Sequence, residues 1–362
     1  MTEPGFRDIA LLANLLDRPL RVEEAAAVLN LSPQDILALA GRGVAEGVLA
    51  ADGAGYVATG EAPEADAPYI AYLAGALADT LGEKGASFEV GRLLAAAGRT
   101  DEAVSALVDA ATSNRDESAA VLAYELDPDL SAVDRLQAGR IHLILSVRAR
   151  NQGDSDEADE RARDAVRRLE GTELIDAVGF AAAIASDLQE SQRAEALTAL
   201  GAGLATSLER YDKAGSLLTL QGRELARLGF AEEADAVLSK GVATLESHGD
   251  RGQRFRGKMN AGWVAFDRGI LRDAEIAFDN LADRASDLNE PVTEASQLAY
   301  HSRALAMVGR INEAVARRNE ARAIADEQGA YAISFLAALG EVEGALTWLR
   351  GDDSLQAAQA AM

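Results

Sequence analysis

The chain has 362 residues, of which 48% are hydrophobic but only 5% aromatic, and its formal net charge is -24. Such an acidic surface repels the phosphates of nucleic acids and of acidic membranes, so neither is expected as a partner. The absence of Cys excludes disulfides, thiolate metal sites and cysteine nucleophiles. No apolar run reaches about 18 residues and the acidic start differs from a signal peptide, so we expect a cytoplasmic protein.

The first sixty residues predict a small domain of winged-helix type. Apolar spacing indicates helices from Phe6 and from Val22, and Ser32-Pro33 begins a third, because Ser caps a helix N-terminus and Pro suits its first turn. Two extended runs around a Gly-rich turn in 49–57 predict a β-hairpin. The third helix would contact DNA, but residues 1–60 hold four Arg against eight Asp and Glu, a balance of -4. A packing or relay module is therefore favoured over a DNA-binding one.

Residues 61–86 are expected to form a Pro-containing linker and a connecting helix, after which a repeat begins. A small residue followed five positions later by Ala recurs, and the steps between copies from position 153 are 38, 38, 40 and 40. The copies are Gly98 with Ala103, Gly153 with Ala158, Ser191 with Ala196, Gly229 with Ala234, Gly269 with Ala274 and Gly309 with Ala314. About six helix pairs are predicted in 87–349, with an extra helix near 117–125, a long last helix at 331–349 and a terminal remnant in 350–362.

Two further positions in each copy are expected to let neighbouring helices approach, because most of their side chains are small. Seven residues before the small residue stand Gly91, Ser146, Ile184, Gly222, Gly262 and Ser302. Twelve residues after it stand Ala110, Ala165, Gly203, Gly241, Leu281 and Ala321, of which Leu281 departs from the pattern. Glycines at such positions are interpreted as packing positions, since each costs about 1 kcal/mol inside a helix.

The chain resembles a known family in the order of its segments. A winged helix is followed by a linker and then by the segment Leu93 to Val104, which carries the first copy of the repeat. This order is similar to the region that follows the ATPase core in LuxR-type signal-transduction ATPase (STAND) regulators, where tetratricopeptide-like repeats sense a ligand or partner. The resemblance implies an all-α fold, a right-handed α-α superhelix of such repeats after a winged helix. The sequence has no Gly-x4-Gly-Lys-Ser/Thr phosphate loop and no helix-turn-helix after the repeats, so ATP hydrolysis and promoter binding are not implied. We expect the sensor portion of such a regulator, or a relative without the enzyme.

Candidate catalytic and metal-binding groups have simpler structural interpretations. The acidic pairs at 101–102, 156–157 and 232–233 fall in the first turn of a predicted helix, where they complement the helix dipole. The three histidines, at 142, 248 and 301, have no partner at the spacing of a zinc site. No Gly-x-Ser-x-Gly nucleophile motif occurs. We therefore predict no catalytic residue, no metal, no cofactor and no enzymatic activity.

A binding groove is the stronger hypothesis. In tetratricopeptide arrays the first helix of each pair lines the concave face, at positions thirteen, ten, six and three before the inter-helix residue. This register selects as ligand-binding candidates Arg140, Arg150, Arg223, Arg256, Met259, Trp263, Phe266 and Arg303. Arg forks bind carboxylates or phosphates, and Trp with Met offers an adaptable apolar contact. The alternative is that these Arg pair with the chain's own acids and that Trp263 belongs to the core.

Two functions are consistent with these patterns. The first is a non-enzymatic scaffold or sensor that binds a protein or peptide, including an acidic one, or a small-molecule effector, in transcriptional regulation or signalling. The second is a DNA-binding transcriptional regulator that uses residues 1–60 and has the repeats as its effector domain.

Overall fold

A computed structural model of the chain describes residues 5–328, except residues 54, 60–62, 83–84, 86, 115 and 288–289. The helix predicted at 331–349 and the remnant at 350–362 lie outside the described residues. The chain divides into two compact units, Met1–Glu170 and Gly171–Met362. The described parts of both are built almost wholly from helices, in agreement with the predicted all-α class.

The first unit begins with three helices and three short strands. Their bounds are α1 Phe6–Asn14, β1 Leu20–Arg21, α2 Val22–Leu29, α3 Pro33–Ala45, β2 Leu49–Asp52 and β3 Gly55–Ala58. Six helices follow, namely α4 Ala67–Gly82, α5 Phe88–Ala96, α6 Thr100–Asn114, α7 Glu117–Leu126, α8 Arg135–Asn151 and α9 Ser155–Arg168. The extra helix expected near 117–125 is thus present as α7.

The strands form one antiparallel sheet in the order β1-β3-β2, in which Leu49 pairs with Ala58 and Leu20 pairs with Tyr56. The predicted cap of α3 is confirmed, because Ser32 Oγ accepts a hydrogen bond from the backbone N–H of Asp35 at 3.2 Å. The sequence at 32–33 therefore sets where α3 begins.

The elements of residues 5–58 share one hydrophobic core with α4 and α5, which includes Leu12, Leu77 and Leu93. Polar contacts join the same parts. The guanidinium of Arg18 lies 3.0 Å from a carboxylate oxygen of Glu24 and 3.0 Å from one of Glu89. Because the core continues into α5, the described residues 5–58 share their core with the helices that follow.

The second unit consists of eight helices in its described part. They are α10 Gly171–Asp187, α11 Ser191–Ser207, α12 Tyr211–Arg227, α13 Ala231–His248, α14 Arg251–Asp267, α15 Leu271–Asp287, α16 Pro291–Met307 and α17 Ile311–Gln328. Each helix begins 20 residues after the one before it. Two helices make one repeat, so the repeat of this unit is 40 residues throughout.

The turn before α11 shows that the register predicted from Ser191 and Ala196 is wrong by two residues. Gly229, Gly269 and Gly309 have φ of 88°, 74° and 82°, and the residue that takes this left-handed position before α11 is Gln189, with φ 61°. In all four turns the next backbone N–H donates to the carbonyl oxygen five residues earlier, at 2.8–2.9 Å. This bond closes the helix end in the Schellman manner. Gln189 is therefore the equivalent of the glycines.

The corrected register also moves the small packing positions. Five residues after Gln189 stands Ala194, which is fully buried, whereas Ala196 is exposed. Twelve residues after Gln189 stands Gly201, where an added Cβ would lie 3.0 Å from Leu217, while one at Gly203 would meet nothing within 4 Å. The sequence pattern missed this because Gln-Glu-Ser has no glycine, and a pattern search selects the nearest small residue, Ser191.

Close helix contact at the position seven before the turn is confirmed. An added Cβ at Gly222 would lie 2.9 Å from Leu238 Cβ and 3.1 Å from the carbonyl oxygen of Ala234. At the same position in another repeat, the hydroxyl of Ser302 donates to the carbonyl oxygen of Ala314 at 2.7 Å. Small residues are thus required where the two helices of a pair meet.

Candidate functional site

A cleft of about 480 Å³ lies between α14 and α16, the first helices of the last two repeats in the described chain. Its lining includes Arg256 and Met259, two of the predicted site residues, and Ser296, which the same register places on the inner face of α16. We call this feature the α14–α16 cleft. Other side chains that face it are those of Arg251, Phe255, Glu290, Thr293, Gln297 and Tyr300.

The apolar part of the cleft continues into an aromatic cluster. The ring of Trp263 lies 4.4 Å from that of Tyr300, 5.5 Å from that of Phe278 and 6.0 Å from that of Phe266, measured between centroids. Phe278 is fully buried, whereas Trp263, Phe266 and Tyr300 are half-buried. The aromatic side chains therefore belong both to the core of the repeat and to its surface. Trp263 therefore fits both hypotheses made for it, that it offers a surface to a ligand and that it belongs to the core.

Arg303 extends this surface along α16. Its guanidinium carbon lies 4.6 Å from the ring centroid of Phe266 and 6.0 Å from that of Trp263. Stacking of a guanidinium on aromatic faces holds the charge in place. The structure thus brings together five predicted residues on α14 and α16, namely Arg256, Met259, Trp263, Phe266 and Arg303.

Arg223 has a different environment from these five. Its side chain is 18% exposed and bonds to Glu224, which is fully buried, and to the hydroxyl of Ser186 on α10 at 2.5 Å. Burial, followed by the nearby charge of Arg227, lowers the pKa of Arg223 from its usual value. Arg223 therefore helps to balance a buried carboxylate inside the repeat, as the alternative interpretation of the Arg residues expected.

Arg140 and Arg150 lie on α8 in the first unit, where Arg140 is half-buried and Arg150 exposed. Both have interactions with other residues of the chain. Neither is among the residues that line the α14–α16 cleft.

Gln297 is a site residue that the inner-face register did not select. It is 1% exposed, and its side-chain Nε2 lies 3.4 Å from Met259 Sδ. Its Oε1 is buried and has no hydrogen-bond partner. The position is twelve before the turn residue, where the other repeats of this unit carry Ala177, Leu217 and Gly257. A polar residue at a position that is otherwise small or apolar is the sequence signal that could have identified it.

The acidic pair at 101–102 and His142 have structural surroundings. Asp101 and Glu102 lie in the first turn of α6, and both carboxylate oxygens of Glu102 bind Arg99. His142 is 2% exposed, and burial, with a smaller effect of Arg168, lowers its pKa to about 4. Among the residues that the structure describes, no group of three or more His, Asp or Glu could hold a metal ion. None of the described helices is long and apolar enough to cross a membrane.

No protein-family model matches the chain, and no curated protein matches it. The chain is similar to the solved structure of a Rap protein in complex with competence and sporulation factor, at 12% identity and a TM-score of 0.58, over 82% of this chain and 80% of that one. It is similar to the Rap conjugation gene regulator of plasmid pLS20 in complex with the Phr* peptide, at 12% identity and a TM-score of 0.55, over 82% and 85%.

A weaker likeness, with a TM-score of 0.47 and 13% identity, covers 98% of this chain and 62% of a STAND protein with a tetratricopeptide repeat sensor from Pyrococcus horikoshii. The two Rap structures are tetratricopeptide-like repeat proteins. At this identity the likeness concerns the fold alone. The chain therefore has the fold of tetratricopeptide-like repeat proteins.

Proposed function

We propose that this protein is a non-enzymatic scaffold that binds a peptide or protein segment in the α14–α16 cleft and serves as a sensor in regulation or signalling. The observation that carries the proposal is that Arg256 and Met259 line the cleft, while Tyr300, another lining residue, contacts Trp263 in the cluster that also holds Phe266 and Arg303. Aromatic, Met and Arg side chains are the types enriched where proteins bind one another. The two Rap structures are complexes with a peptide or a factor, which supports a similar use of this fold.

The binding proposal is tested with a synthetic library of short random peptides, made once with free and once with amidated C-termini. The full chain is exposed to the library, and the affinity of each enriched peptide is measured by fluorescence anisotropy. Arg256→Glu should weaken binding several-fold, because a cation that faces the cleft becomes an anion. Arg272→Glu, an exposed residue of α15, makes the same charge change outside the cleft lining and should leave binding unchanged. Failure of both library forms to yield binders, or equal loss in both variants, would refute the proposal.

A second candidate is a winged-helix module in residues 5–58, supported by the order of its helices and the β1-β3-β2 sheet. In such a module α3 would contact DNA. The outer face of α3 exposes Leu37 at 49% and Val44 at 42%, and only one basic residue, Arg42. Apolar exposure of this kind suits contact with protein, so we propose a relay role for the module, as in LuxR-type regulators, above direct DNA binding.

The DNA alternative is tested on the full chain, because the module shares its core with α4 and α5. Random-sequence duplex DNA is titrated at increasing salt concentration. Phosphate contacts would make the logarithm of the binding constant fall linearly with the logarithm of salt concentration. We expect no measurable binding; a steep salt dependence that Arg42→Ala reduces would instead establish the DNA-binding function.

A further inference from the structure

The buried amide of Gln297 indicates which ligand the α14–α16 cleft accepts, provided that the proposed peptide-binding function holds. Of its polar atoms, Nε2 faces the thioether of Met259 at 3.4 Å, and Oε1 is buried without a partner. A thioether sulfur can accept a hydrogen bond but cannot donate one, so the amide nitrogen belongs on that side. The acceptor oxygen is consequently the atom left unmatched, on a residue that lines the cleft.

An unmatched buried acceptor is costly and rare in a folded protein, and it requires a reason. A bound group with an N–H or O–H donor would satisfy Gln297 without disturbing the helices. Gln297 lines the cleft but is only 1% exposed and its Oε1 is covered, so a donor that enters from the cleft reaches this oxygen when the Gln297 side chain rotates toward it.

The charges at the cleft give the second property of the ligand. Arg251 and Arg256 both line it, and within the described residues neither forms an ion pair with a carboxylate. Elsewhere in the same unit arginines such as Arg227, Arg268 and Arg310 bind carboxylates of the chain. The cleft contains one acidic side chain, Glu290, against these two cations. An anionic group is therefore favoured beside the donor.

The third property comes from the apolar lining. Phe255, Met259 and Tyr300 present aromatic and thioether surface between the arginines and the aromatic cluster around Trp263. A ligand that covers this surface needs an apolar side chain next to its donor and its anion. An extended peptide offers all three within three residues, because each residue supplies a backbone N–H and side chains two positions apart point to the same side.

We infer that the α14–α16 cleft binds an extended peptide segment in which a backbone N–H donates to Gln297 Oε1, a carboxylate binds Arg251 and Arg256, and an apolar side chain packs on Met259 and Tyr300. The carboxylate comes either from an acidic side chain or from the C-terminus of the peptide. Both sources present the same oxygens to the arginines.

The test uses the tightest binder from the random peptide library, resynthesised with one backbone N–H at a time replaced by N-methyl. With the unmodified protein, N-methylation at one position should weaken binding about tenfold, because a buried acceptor loses its donor. Gln297→Leu should weaken the parent peptide about tenfold, and the same N-methylation should then cost nothing more. Gln221→Leu is the matched control, since Gln221 bonds to Glu195 on α11 and is not part of the cleft.

Two carboxylate series distinguish the sources of the anion. The first series amidates the peptide C-terminus, and the second replaces each acidic side chain by its amide. The series that removes the bound carboxylate should weaken binding to the unmodified protein and have no further effect on binding to Arg256→Glu. Gln297→Leu should also raise the urea midpoint of the free protein, because the unmatched oxygen is removed; Gln297→Met serves as a second variant if the leucine form does not fold.

Peptides that depend on Arg256 but show equal N-methyl losses in the unmodified protein and in the Gln297 variants would overturn this inference and leave the proposed function standing. Binding without any contribution from a carboxylate would overturn it as well. A library that yields no binder refutes the proposed function itself.

Discussion

Replacing Gly203 and Gly241 by Ala tests the corrected register directly. The sequence pattern places both glycines twelve residues after an inter-helix position and predicts the same response. The structure predicts opposite responses. A Cβ at Gly203, on the exposed side of α11, would meet nothing within 4 Å, whereas a Cβ at Gly241, on α13, would lie 2.8 Å from the backbone nitrogen of Thr219.

The expected magnitudes follow from these distances. Gly203→Ala gains helix propensity without a clash, so it should stabilise by about 1 kcal/mol. Gly241→Ala gains the same propensity but forces α12 and α13 apart, because a backbone atom cannot rotate away. Overpacking costs up to about 3 kcal/mol, so this variant should be destabilised by about 2 kcal/mol net. The two variants should therefore differ by about 3 kcal/mol.

Urea unfolding followed by far-ultraviolet circular dichroism measures the difference. Hydrogen exchange of the α12 and α13 amides provides a local readout, which should show faster exchange in Gly241→Ala only. Gly201→Ala adds an internal comparison, because its Cβ would lie 3.0 Å from Leu217 and 3.1 Å from Val178. Shifts of the same sign and size for Gly203→Ala and Gly241→Ala would refute the register derived from Gln189.

Three further results are expected. Burial lowers the pKa of His142 from 6.5 to about 4, so the free energy of unfolding that depends on the neutral imidazole is fully present above pH 6.5 and is lost as pH falls toward 4. The full effect is about 3 kcal/mol. In His142→Leu the urea midpoint should no longer show this part of its pH dependence. Glu224→Gln removes the carboxylate that balances Arg223 and should destabilise by about 3 kcal/mol in equilibrium unfolding, and an unchanged midpoint would contradict the buried pair. Trp263→Ala should destabilise the protein by about 3 kcal/mol and speed hydrogen exchange in α14 and α16, because the ring contacts Tyr300 and Phe278. Loss of peptide binding without any loss of stability would show that the ring contributes nothing to the core.

The 40-residue repeat explains why the register was visible in most of the chain. A residue in the left-handed conformation ends the first helix of each pair, and glycine adopts that conformation at no steric cost. Gly229, Gly269 and Gly309 therefore mark the turns in the sequence. Gln189 takes the same conformation without glycine, with φ of 61°, and leaves no such mark.

The sequence by itself determined the helical class, the N-cap of α3 at Ser32 and most of the helix pairs, because these depend on local backbone preference and on periodic burial. Only the tertiary structure decided the environment of individual polar side chains. Arg223 and Arg256 come from the same type of inner-face register, yet one lies beside a buried Glu224 and the other faces a cleft. Gln297 became a site residue only when the packing of α14 against α16 showed its oxygen without a partner. Such outcomes depend on which groups meet across helices far apart in sequence, and periodicity along one helix carries no information about that.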